Sequence, residues 1–220
     1  MNGEHSLRAY SVSRPRSNPA LLEDGILMSR QATPSAEDCK RLINGFVDEI
    51  FGDLDTNPDF VAMMRSAVPE MPADPTPAQL EAWAKLSALI QDPDFKASVR
   101  RMAEHQAAER AAGDQTGLHH QVTDLVRERV QKAQADGIEP GSPAARPVLT
   151  HLIAGYTATF GHPDSAEYRR KLLTRLEVAN DPRAGQYFRL LSTINGWPAP
   201  PSLAPVFGWF IQALRHHPTP

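Results

Sequence analysis

Eight histidines and a single cysteine are the residues of this 220-residue chain best suited to chemistry. His119-His120 and His216-His217 are adjacent pairs, and neighbours on a helix point about 100° apart, so neither pair converges on one ion. No H-E-x-x-H motif or other i, i+4 histidine pair occurs. His105 could face His119 or His120 across two helices, but the spacing gives such a site no support, and neither a metal nor a cofactor is expected. Cys39 has no second cysteine to pair with, which excludes an intrachain disulfide and a thiolate cluster. It sits near the start of an amphipathic segment, where a helix dipole lowers a thiol pKa, but no motif supplies a base. No G-x-S-x-G elbow and no Gly-rich phosphate loop is present. Glu104 and Glu109, among Arg100, Arg101 and Arg110, fit i, i+3 and i, i+4 surface ion pairs, which predicts a solvated face. No residue set supports catalysis, so the chain is not expected to be an enzyme.

Side chains that could hold a molecule are more evident. Aromatic residues concentrate in the last third, from Tyr156 to Phe210, with Trp83 and Phe95 earlier. Pockets in helical bundles are lined by such side chains plus a few polar tips, although any one of them can equally be plain core. Trp83, Met102, His105, His119, Tyr156, Tyr187, Trp197 and Trp209 are the expected ligand-binding residues. The connection from Asn195 through Gly196-Trp197-Pro198 to Pro201 is rigid and carries a tryptophan, so it either lids a cavity or closes the bundle.

The elements that must position these groups are marked by proline. A proline at the first helical position gives up an N–H that has no partner there, and a preceding Asp, Asn, Ser or Thr caps the exposed amides. Asn57-Pro58, Thr76-Pro77, Asp92-Pro93, Ser142-Pro143 and Asp181-Pro182 fit this pattern, and Gln79 completes a capping box with Thr76. Apolar residues recur at steps of three and four between the marks, predicting helices near 36–54, 58–68, 77–91, 93–112 and 117–135. Further helices are predicted near 143–160, 164–179, 182–195 and 202–216. Gly113, Gly137 and Gly196 suit helix ends that need a left-handed residue. No alternating β-branched run argues for a strand. The fold class is therefore all-α, a compact bundle of about eight or nine helices. Residues 1–34, rich in Ser, Pro, Arg and Asn, are expected to form a flexible tail. Residues 35–220 form the helical domain, with a joint near 113–117 that would allow two helical subdomains.

Bulk properties narrow the partners. A net charge of −3, with basic residues interspersed among acidic ones, offers no clustered basic face for a polyanion, so direct nucleic-acid binding is not expected. No apolar run of signal-peptide or membrane-spanning length is visible, and the lone cysteine fits a reducing compartment; the cytoplasm is expected.

Three segments also carry a resemblance. Asp92-Pro93-Asp94-Phe95 through Glu104, Leu176 to Arg183, and Ile194 to Phe207 resemble the C-terminal effector region of actinobacterial MerR-type transcription regulators. The stretch from about Val126 to Tyr187 is similar to the antibiotic-recognition domain of the thiostrepton-responsive members, with the Gly137–Pro143 turn, a helix pair, and Asp181-Pro182-Arg183 near Tyr187. The likeness covers about 40–216. It implies a drug-binding helical module linked to antibiotic resistance and transcription regulation. Residues 1–34 lack the periodicity of a recognition helix, so the resemblance does not extend to DNA binding. The expected function is capture of a small hydrophobic, antibiotic-like molecule, by sequestration or as a sensory domain. The alternative is a protein–protein interaction or dimerisation module, and a homodimer is compatible with either.

Overall fold

Four of the five cap–proline pairs begin helices as their chemistry requires. In the computed structural model, which describes residues 35–113 and 119–220, all the regular elements among the described residues are α-helices. They are α1 Ala36–Phe51, α2 Pro58–Ser66, α3 Pro77–Gln91, α4 Pro93–Ala111, α5 His120–Ala135, α6 Ala145–Phe160, α7 Ala166–Ala179, α8 Pro182–Asn195 and α9 Ala204–His216. Asn57, Thr76, Asp92 and Asp181 each accept backbone N–H bonds from the first turn that follows them. Thr76 and Gln79 form the full capping box. Ser35 and Ser165 add two caps with no proline after them.

The fifth pair behaves otherwise. Ser142 spends its hydroxyl on the Glu139 carbonyl at 2.7 Å, inside a turn in which its own N–H also bonds Glu139 O. The helix therefore starts two residues beyond Pro143, at Ala145, with no side-chain cap. The first helix ends at Phe51 rather than near 54, because Gly52 and the Phe51 to Leu54 turn redirect the chain. The expected tail at 1–34 and the expected joint at 113–117 fall wholly or largely outside the described residues.

Two hydrophobic cores lie side by side within a single compact unit, residues 34–220. One is built from α1 to α4 together with α8, around Phe46, Leu86, Phe95, Tyr187 and Leu191. The other joins α5, α6, α7 and α9 around Val126, Leu152, Leu172 and Phe210. Among the described residues, the two cores are therefore not two consecutive stretches of sequence. The chain leaves the first core after α4 and builds three helices of the second. Then α8 returns to pack on α3, and α9 goes back to the second core. Gly155 on α6 has no Cβ where Leu125 of α5 lies, which lets those two helices approach closely. Helices α4 and α7 touch where the two cores meet. No described helix is long and apolar enough to cross a membrane.

Candidate functional site

The end of α7 is where the two cores leave space. Three cavities adjoin there, and Ala179, the last residue of α7, lines all of them. The central cavity, about 230 Å³, lies among α5, α6, α7 and α9, with Val122, Tyr156, Phe160 and Phe207 in its walls. A smaller one of about 90 Å³ opens against α4, where Met102, His105, Gln106 and Glu109 face Phe160, Arg175 and Val178. The third, about 300 Å³, is bounded by the first turns of α8 and by Pro200 to Leu203 ahead of α9, with Phe188 and Phe207 as its aromatic walls.

A buried ion pair borders the first two: Arg175 lines both, and Glu109 the one against α4. Glu109 accepts from Arg175 Nε with both oxygens at 2.9 Å, and Arg175 Nη2 lies 2.9 Å from Oε2. The guanidinium also sits 4.5 Å from the Phe160 ring centre, a cation–π contact. His119 meets the same ring edge-on at 4.8 Å, and Tyr156 stacks on it at 5.9 Å. Burial pushes the Tyr156 hydroxyl up, only partly offset by Arg175, so it stays protonated at neutral pH. His105 Nε2 is 3.5 Å from Glu109 Oε1. That is within ion-pair range, but the nitrogen is buried and makes no hydrogen bond.

Glu109 therefore departs from the solvated face expected of it. Glu104 does form the surface i, i+4 pair with Arg100, but Glu109 is 6% exposed and bonds across to α7. Its partner lies 66 residues away, and no local spacing shows such a pair.

Of the eight residues expected at a ligand site, four come together: Met102, His105, His119 and Tyr156 line the central and α4-side cavities. The other four line none of the three. Trp83 is half-buried against the first core. Tyr187 is also inside that core, stacked on Phe46 and edge-on to Phe188. Trp209 is core of the second and donates through Nε1 to Ile138 O at 2.9 Å. Trp197 is 50% exposed; of its loop, it is Pro200, Pro201 and Ser202 that wall a cavity. Phe160 and Phe207 belong to the C-terminal aromatics but were not assigned to the site, and Arg175 and Ala179 carry no signal beyond that of ordinary helix positions.

Cys39 is fully buried, and burial, with the neighbouring Asp38 charge, raises its thiol pKa. It does not have the character of an activated nucleophile. Among the described residues no three His, Cys, Asp or Glu side chains are grouped to hold a metal ion. No family model matches the chain, and no curated protein or solved structure gives a significant match.

Proposed function

We propose that this chain is a small-molecule binding protein that captures a hydrophobic, drug-like compound at the junction of its two helical cores. The observation that carries the reading is the set of adjoining cavities around Ala179, with largely apolar walls and with His105, Gln106, Glu109, His119 and Arg175 as polar groups on the α4 side. Pockets of this composition between helices are the usual form of small-ligand sites. Binding there requires no chemistry, since apolar burial at about 25 cal/mol/Å² offsets the cost of ordering a ligand. The likeness of residues 40–216 to MerR-type effector regions favours an antibiotic as the compound. It also favours a role in the cytoplasm, either sequestering the drug or sensing it for transcription and resistance. Two cores meeting at the ligand suit sensing, because a bound molecule would alter how they fit together.

The competing reading, a protein interaction or dimerisation module, needs an exposed apolar patch. Trp197 is the one large apolar side chain that is strongly exposed among the described residues, and it favours that reading only weakly. Thermal denaturation against a panel of hydrophobic antibiotics decides between them. A ligand at 100 times its Kd stabilises the native state by about 2.7 kcal/mol and raises the melting temperature accordingly. Thr123→Trp, at a half-exposed position in the central cavity wall, is expected to abolish that rise and leave the unliganded protein folded. A flat panel, with self-association that depends on concentration, would reject small-molecule capture.

A further inference from the structure

We infer that the three cavities act as one groove and that the molecule it takes is an elongated, uncharged amphiphile. Its hydrogen-bonding head would lie on His105 and its apolar body would run past Ala179 to the proline-walled end. This rests on the small-molecule reading and names the chemistry of the ligand.

Continuity comes from shared walls. Ala179 borders all three cavities, Phe160 and Arg175 border the first two, and Asn180 and Phe207 border the central and far ones. The residue at their meeting point has one of the smallest side chains, so little side chain stands between them there. A compact ligand would be satisfied by the central cavity alone. A groove continued at both ends suits a long one.

Polarity differs between those ends. At the α4 end, His105 Nε2 is buried and makes no hydrogen bond, its nearest charged neighbour being Glu109 Oε1 at 3.5 Å, and Gln106 lies beside it in the wall. An unmade hydrogen bond at a buried nitrogen is costly, and a ligand group that makes it recovers that cost. At the far end Pro182, Pro200, Pro201, Phe188, Leu203 and Phe207 make up most of the walls, beside Asn180, Asp181 and Ser202. Proline has no N–H to offer, so the proline walls present carbon.

Charge decides the kind of head. Glu109 and Arg175 neutralise one another at the polar end. At the far end, Asp181 is held by Arg183 Nη2 at 2.7 Å and by the Ser98 hydroxyl at 2.6 Å. A carboxylate or ammonium head would lose its hydration in the groove and meet charges already paired. An amide or hydroxyl can serve His105 in either tautomer without that cost.

Calorimetric titration of the full chain with decanamide, decanoate, decylammonium and the compact cyclohexanecarboxamide tests this. Decanamide is expected to bind at least about tenfold more tightly than either ion. Ala184→Trp fills the far cavity from a half-exposed position in the first turn of α8. It should weaken decanamide about tenfold and leave cyclohexanecarboxamide unchanged. His105→Phe should weaken both amides, and circular dichroism shows whether each variant is folded. Equal affinity for amide and ions, or decanamide binding untouched by Ala184→Trp, overturns the inference. Failure of decanamide to bind a protein that responds to the antibiotic panel overturns it alone. A protein that responds to neither loses the underlying reading as well.

Discussion

Glu109 and Arg175 face one another with 6% and 16% of their side chains exposed, so each is costly to leave alone. Glu109→Gln removes the carboxylate charge that faces a guanidinium mostly out of water, and roughly 3 kcal/mol of unfolding free energy should be lost. Replacing both with apolar residues, Glu109→Leu with Arg175→Met, should recover most of that, as burial of a matched pair is close to neutral. The control Glu104→Gln removes a surface pair and should cost less than about 1 kcal/mol. Urea titrations of the four proteins give the comparison; equal costs for the two glutamates would contradict the burial argument. Asp181 offers a second test. Its bonds from Arg183 and Ser98 hold its carboxyl at about 2, below the ordinary 3.8. A depressed folded-state pKa gives stability that is present above the unfolded value and lost as pH falls towards the folded one. About 2 kcal/mol should disappear between pH 4 and pH 2 by this group's linkage. Asp181→Asn keeps an N-cap acceptor but not the charge, so its stability should fall less steeply over that window.

At the level of the element, the caps matter because several of them also fasten one helix to another. Gln79 closes the capping box of α3 through its Oε1, while its Nε2 donates to Ile194 O near the end of α8 at 2.8 Å. Thr76→Ala should cost about 1 kcal/mol from the cap alone, and Gln79→Ala more, since two links go at once. Gly196 ends α8 with φ at +66°, in the left-handed region where a Cβ is strained. Gly196→Ala is expected to cost about 1 kcal/mol. The neighbouring Trp197→Ala should change neither stability nor ligand affinity by more than a few tenths of a kcal/mol, the usual scale for surface substitutions. A large loss of affinity in Trp197→Ala would place that side chain at the site after all.

For the whole molecule, the exchange of α8 ties the halves together. α8 lies beyond α7 of the second core in sequence but is packed in the first, so neither core can be completed without the other. Unfolding should therefore be one cooperative transition. Trp83 reports on the first core and Trp209 on the second. Single-tryptophan variants retaining one or the other should give coincident midpoints in urea, and two separated midpoints would show independent halves. A ligand in the groove touches α4 and α8 of one core and α5 to α7 and α9 of the other. It should slow amide exchange in both.

The helices could be read from local features, since caps, prolines and apolar steps of three and four are set within a few residues of one another. That is why the element order followed from the chain, and why Ser142 misled, its hydroxyl being drawn into a turn that the pair pattern does not encode. The candidate site was half legible. Met102, His105, His119 and Tyr156 were picked out as a flexible apolar side chain and polar or aromatic tips on the helices read from the sequence, and packing brought them together. Trp83, Tyr187 and Trp209 have the same kind of side chain, but neighbouring helices cover them. Whether an aromatic lines a cavity or fills a core depends on what stands opposite, and for this chain that depended on α8 crossing back. The Glu109–Arg175 pair and the meeting of three cavities at Ala179 are long-range facts of the same kind, fixed by contacts between residues that lie far apart along the chain.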